Sequence, residues 1–387
     1  MNNFTYYIPT KIYFGKGQIS HLAELADYGK NVLLVYGGGS IKKNGIYDSA
    51  MNILKEAGLD VFELGGVHPN PRISSVREGV KICKENQVDM VLAVGGGSSI
   101  DCAKVIAAGA LYDGDAWDLV KNRRKIQGAL PIFAVLTMAA TGSEMNIHAV
   151  ITDPDKNEKW GTGAQCMMPT MSICDPEYSY TLPAEQTAAG VADIMSHTFE
   201  NYFNGVKGAF LQSRFAESVL KTCIKYGPIA LEHPDDYEAR ANIMWAATNA
   251  INGLLNNGAG VAWSVHPMGH EISAFYDVTH GVSLSILTPH WMRFALRDET
   301  VDKFVEYGVN VWGLDPSGDK MDIANKAIDC TYDFFVNKLH LPATLREVGV
   351  KDESHFDMMA RKAARKCIGS YVQILEPDVI SIYRAAM

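Results

Sequence analysis

At 387 residues the chain exceeds the length at which a single hydrophobic core stops growing, so two domains are expected. Its 47% hydrophobic and 20% charged residues, with 34 glycines and 15 prolines, exclude a disordered or fibrous chain. A net charge of −9 with no Lys/Arg block excludes a nucleic-acid footprint or a polybasic membrane patch, which leaves a small molecule as the expected partner.

The first residues, Met1-Asn2-Asn3-Phe4-Thr5-Tyr6-Tyr7, carry no basic-then-apolar leader pattern. No stretch is long and apolar enough to span a bilayer, so a cytoplasmic protein is expected. Short runs rich in Val, Leu and Ile then recur at Val32 to Tyr36, Val61 to Leu64, Met90 to Val94, Ile132 to Thr137 and Met171 to Cys174, and read as buried strands. Helical patterns at Tyr47 to Ala57, Ser74 to Asn86 and Ser99 to Ala108 lie between several of them. Alternation of this kind predicts a parallel sheet with crossover helices.

After Thr181-Leu182-Pro183, which suits a helix start, strand-like runs vanish and apolar-periodic segments follow, such as Glu217 to Lys225 and Tyr237 to Leu254. The pattern predicts an α/β domain over residues 1–180 and an all-helical domain over 181–387. With no repeat and no flexible linker, the two are expected to pack tightly around a cleft, where small-molecule sites usually lie. The 7 cysteines are odd in number, scattered and without a C-x-x-C pair, so they read as reduced thiols.

Two glycine-rich turns follow predicted strands: Gly37-Gly38-Gly39-Ser40 and Gly95-Gly96-Gly97-Ser98-Ser99. Backbone N–H groups at such a turn, where a helix begins, can face a diphosphate. The dinucleotide fingerprint G-x-G-x-x-G fails at Ile100, and the second turn alone reads equally as a capping box made by Ser98 and Asp101. Gly39-Ser40 with Lys42-Lys43, in place of a carboxylate, leans towards NADP(H) over NAD(H).

His266, His270, His280 and His290 fall within 25 residues, where an even spread of the 11 histidines would put roughly 0.7. His266 and His270 are four apart and share a helix face, as do Asp193 and His197. Either pair alone is commonly structural. Asp193, however, sits in an apolar segment where an unpaired carboxylate would cost several kcal/mol, and a divalent cation would compensate it. Imidazoles with one carboxylate suit Zn²⁺ or Fe²⁺ rather than Ca²⁺ or Mg²⁺. Spacing leaves His270 and His280 competing for the last ligand position.

The sequence resembles the iron-containing (group III) alcohol dehydrogenases, in their butanol dehydrogenase branch, essentially from Phe4 to the C-terminus. The likeness is carried by Phe14-Gly15-Lys16-Gly17, Tyr36-Gly37-Gly38-Gly39-Ser40, Pro69-Asn70-Pro71 and Gly95-Gly96-Gly97-Ser98 with Asp101 and Lys104. Ala140-Thr141-Gly142-Ser143-Glu144, His266-Pro267-Met268-Gly269-His270 and His280-Gly281 complete it. The resemblance implies an architecture like that of dehydroquinate synthases and metal ligands at Asp193, His197, His266 and His280, with His270 unligated near nicotinamide and substrate. It implies coenzyme contacts from Gly38, Gly39, Ser40, Asn70, Gly96, Gly97, Ser98, Asp101, Thr137, Thr141 and Lys159. It also implies a homodimer.

These readings together predict a metal-dependent oxidoreductase interconverting a small aliphatic alcohol and its aldehyde with NAD(P)H. His270 is the candidate proton relay, with a supporting role beside His266 as its alternative. Dehydroquinate synthase-like or glycerol dehydrogenase-like enzymes, and a non-enzymatic nucleotide sensor, are the rivals. The first requires several Lys or Arg for a substrate phosphate, whereas Trp263, Met268, Phe275, Tyr276 and Trp291 suggest an uncharged substrate or a helix core.

Overall fold

The computed structural model describes every residue but 368. It comprises two compact units: residues 7–182 with 234–248, and residues 1–6 with 183–233 and 249–387. Residues 1–6 and 234–248 therefore each fold with the unit formed mainly by the other half of the chain.

The first unit holds eight strands: β1 Lys11–Phe14, β2 Asn31–Tyr36, β3 Asp60–Leu64, β4 Met90–Gly95, β5 Ile132–Leu136, β6 His148–Asp153, β7 Glu158–Gly163 and β8 Met171–Cys174. Six of them form one sheet in the order β1-β8-β5-β4-β2-β3, with every neighbouring pair parallel. Strands β2, β4 and β5 are almost wholly buried because helices cover both faces, which is why their sequences read as continuous Val/Leu/Ile/Ala runs. Alternate residues go to opposite sides. Leu33 and Val35 join one core with Ile100 and Ile106, while Val32 and Leu34 join the other with Ala50 and Leu54.

Up to residue 182 the α-helices of this unit are α1 Ser40–Lys43, α2 Ile46–Glu56, α3 Ile73–Glu85, α4 Gly97–Ala110 and α5 Ala116–Lys121. Each strand the sequence predicted is present. Strand β1 and the antiparallel β6–β7 hairpin were not anticipated. The capping-box alternative fails, because α4 starts at Gly97 with Gly96 extended and no side-chain cap, and Ser98 lies inside the first turn. Asp101 instead accepts hydrogen bonds from Ser143 Oγ at 2.6 Å and Val150 N–H at 2.8 Å.

From residue 184 the described residues form no strand. The elements are α6 Ala184–Tyr202, α7 Phe210–Glu232, α8 Tyr237–Ala250, α9 Val265–Tyr276, α10 His280–Ala295, α11 Val301–Trp312, α12 Lys320–Asp333, α13 Phe356–Ala364 and α14 Glu376–Ala385. Helix α6 is buried at every position from Thr187 to Tyr202, which identifies it as the central helix of the second unit. Helices α7, α9 and α10 pack on it.

Candidate active site

Asp193 and His197 stand one turn apart on α6, His266 is the second residue of α9 and His280 the first of α10. Asp193 Oδ1 lies 3.6 Å from His197 Nδ1, 3.7 Å from His266 Nε2 and 3.7 Å from His280 Nε2. These distances are too long for hydrogen bonds, and the group of mutually close ligand atoms comprises Asp193, His266 and His280 without His197. One ligand atom from each of these three lies within 4.8 Å of the others. Asp193 Oδ1, His197 Nδ1 and His266 Nε2 are buried with no hydrogen-bond partner. Orphaned buried polar atoms cost about 1–3 kcal/mol each. A divalent cation among them satisfies all three, so the residues present fit a metal.

The electrostatics are strongly coupled. Burial raises the Asp193 pKa, but the imidazoles, His197 foremost, outweigh it and hold this carboxyl well below the ordinary carboxylate range. Burial takes His197 down to about 4 against the pull of Asp193. It lowers His266 too, but Glu200 and Asp193 prevail and bring that ring up to about 9.

Glu200 escaped the sequence reading. Its Oε2 is 2.7 Å from His266 Nδ1, and its Oε1 accepts from the backbone N–H of Ser264, Val265 and His266. The signal was present, since positions 193, 197 and 200 form one stripe of a helix that is otherwise mostly apolar.

The His270 ring centroid lies 5.1 Å from that of His280 and 6.2 Å from that of His266. The Trp263 ring meets His266 edge-on at 5.1 Å and His197 at 6.5 Å. Of the other residues suggested for the substrate, Met268 and Trp291 are fully buried core, and Phe275 and Tyr276 lie beside His355.

In the first unit, Gly38, Gly39 and Ser40 follow β2, Gly96, Gly97 and Ser98 follow β4, and Thr137 and Thr141 follow β5. These are the carboxyl ends of adjacent parallel strands. The chain runs from β2 outward to β3 and then back to β4 on the other side of β2, so the two glycine turns flank the switch point where dinucleotides bind in open α/β sheets. A Cβ on Gly97 would stand 2.3 Å from Thr141 Oγ1, which accounts for the glycine. Asn70, at φ 54°, accepts a 2.7 Å hydrogen bond from Lys159 Nζ, a pairing invisible to sequence spacing. Lys104 is buried and donates to the Asn146 and His148 carbonyl oxygens at 2.8 Å, a structural role.

The family model for "Iron-containing alcohol dehydrogenase" matches residues 9–176, and that for the "Fe-containing alcohol dehydrogenase family, C-terminal" matches residues 187–387. The chain is 56% identical to NADH-dependent butanol dehydrogenase A of Clostridium acetobutylicum over 99% of each chain. It is 41% identical to the NADPH-dependent aldehyde reductase YqhD of Escherichia coli, covering 92% of this chain and 91% of the other. The crystal structure of NADH-dependent butanol dehydrogenase A from Thermotoga maritima superposes with a TM-score of 0.94 at 39% identity, covering 100% of this chain and 99% of that one. With both halves matched and relatives aligned along its whole length, the chain belongs to the iron-containing alcohol dehydrogenase family, in its butanol dehydrogenase branch, and is an alcohol/aldehyde oxidoreductase using NAD(P)H.

Proposed function

We propose that the enzyme interconverts a small aliphatic aldehyde of the butyraldehyde type and its alcohol, with Asp193, His197, His266 and His280 holding one Fe²⁺ or Zn²⁺. The observation that carries this reading is the convergence of unpartnered buried atoms from Asp193, His197 and His266. Names of relatives, butanol dehydrogenase and aldehyde reductase, support the substrate class. When bound, the cation polarises the substrate oxygen and the nicotinamide gives or takes the hydride.

The chain's own residues do the rest. Asp193 contributes the negative charge a divalent cation needs, and three imidazoles supply donors that favour zinc or iron over calcium or magnesium. His270, one turn beyond His266, relays the hydroxyl proton through its imidazole. Trp263, packed against two of the rings, limits water around them.

Coenzyme contacts come from Gly38, Gly39, Ser40, Asn70, Gly96, Gly97, Ser98, Thr137, Thr141 and Lys159, with Asp101 bracing the loop through Ser143. Gly39-Ser40 supports NADP(H), since no carboxylate repels a 2′-phosphate there. Lys42 tempers that preference. Its Nζ lies over the Tyr36 and Tyr47 rings at 4.9 and 4.4 Å and 3.9 Å from Glu63 Oε2. We therefore read both coenzymes as substrates, in a ratio set by how Glu63 holds Lys42.

In this reading residues 1–180 serve the coenzyme and residues 181–387 the metal and substrate, in a cytoplasmic homodimer. No described helix is long and apolar enough to cross a membrane, and sedimentation tests the dimer. The activity test is reduction of butyraldehyde and methylglyoxal with each coenzyme after zinc or iron reconstitution. Metal-dependent reduction of butyraldehyde is expected. Stoichiometric metal with no reduction by either coenzyme overturns the proposal.

A further inference from the structure

We infer that Glu200 is a positioning residue that sets the ring of His266 for metal binding, an inference that rests on the metal site proposed above. Its side chain is fully buried. A carboxylate at such a position is retained only where hydrogen bonds or opposite charge satisfy it. Among the described residues its ion-pair partner is His266, with no lysine or arginine. The remaining satisfaction comes from three consecutive backbone N–H groups, those of Ser264 at 2.8 Å, Val265 and His266 at 3.0 Å.

One side chain thus does two things. Through Oε1 it ties the start of α9 to α6, which fixes where the His266 backbone stands relative to Asp193. Through Oε2, 2.7 Å from Nδ1, it fixes the ring's rotation and leaves Nε2 turned to Asp193 Oδ1 at 3.7 Å. Nδ1 then donates to Glu200 and Nε2 presents its lone pair to the cation, the arrangement in which a carboxylate behind an imidazole orients it and strengthens it as a donor. A residue that merely capped a helix would need only Oε1.

Glu200→Gln separates the two tasks. The amide keeps an oxygen for the three N–H groups, but puts an NH₂ donor against Nδ1. Zinc affinity measured by chelator competition on the full chain is expected to fall about 10–100-fold, with the melting temperature of the metal-free protein within about a degree or two of wild type. Unchanged zinc affinity in this variant overturns the role of Glu200 while leaving the metal site standing. Wild-type protein that takes up no stoichiometric zinc removes both, and Asp193→Asn is the reference for a lost ligand. Should Glu200→Gln not fold, the zinc-loaded wild type labelled with ¹⁵N-histidine decides: a slowly exchanging proton on His266 Nδ1 is expected, and a ring without one overturns the assignment.

Discussion

A Cβ placed on Gly281 would stand 2.0 Å from the carbonyl oxygen of Ala189. Helix α10 therefore packs backbone-to-backbone on α6 immediately beside His280, and that approach brings the His280 ring to within 3.7 Å of Asp193. Gly281→Ala forces the helices apart at the site. The expected outcome is a loss of about 1–3 kcal/mol in stability by denaturant titration. Weaker metal binding should accompany it, because the displaced residue is next to a proposed ligand.

Asp193 and His270 should separate cleanly. Asp193→Asn or His266→Ala is expected to abolish bound metal and aldehyde reduction together. His270→Ala is expected to keep one metal per chain and lose about 10²–10⁴-fold in turnover, the range for a general acid–base group. Normal metal content with unchanged turnover in His270→Ala would remove the relay and leave the supporting role.

Metal removal should cost stability as well as activity. A cation at 100 times its dissociation constant stabilises the native state by about 2.7 kcal/mol. Dialysis against a chelator should therefore lower the melting temperature by several degrees, with zinc restoring it. The Asp193→Asn variant should show no such response.

Coenzyme choice should respond to Glu63. This carboxylate accepts the Tyr36 and Tyr47 hydroxyls at 2.9 Å each and faces Lys42. Glu63→Gln removes the charge that holds Lys42 over the two rings and so frees the lysine for a 2′-phosphate. The ratio of kcat/KM for NADPH to that for NADH is expected to rise about tenfold, equivalent to ~1.4 kcal/mol, and Lys42→Ala to lower it.

The parallel sheet was legible because its inner strands are buried on both faces, and burial on both faces turns the usual alternation into an unbroken apolar run such as Val32 to Tyr36. Strand β1 was not legible, since Lys11-Ile12-Tyr13-Phe14 is four residues long, lies at the sheet edge and is half exposed. The β6–β7 hairpin hid behind polar and glycine positions such as His148, Lys159 and Gly161. At the site, the four-residue spacing exposed Asp193 with His197, but spacing also joined His266 to His270. What brings His280 beside Asp193 and His266 is the Gly281–Ala189 approach, a contact between helices that no local pattern encodes. Glu200 had a local signal, seven residues after Asp193 on the same stripe, yet a glutamate in a helix ordinarily reads as solvated.

The most direct measurement is X-ray absorption at the metal edge of zinc-loaded protein. One ion per chain is expected, with a shell of nitrogen and oxygen only at about 2.0–2.2 Å and the outer-shell signature of three imidazole rings. A sulfur scatterer, an all-oxygen shell or fewer than three imidazoles would contradict the assignment of Asp193, His197, His266 and His280 as the ligands.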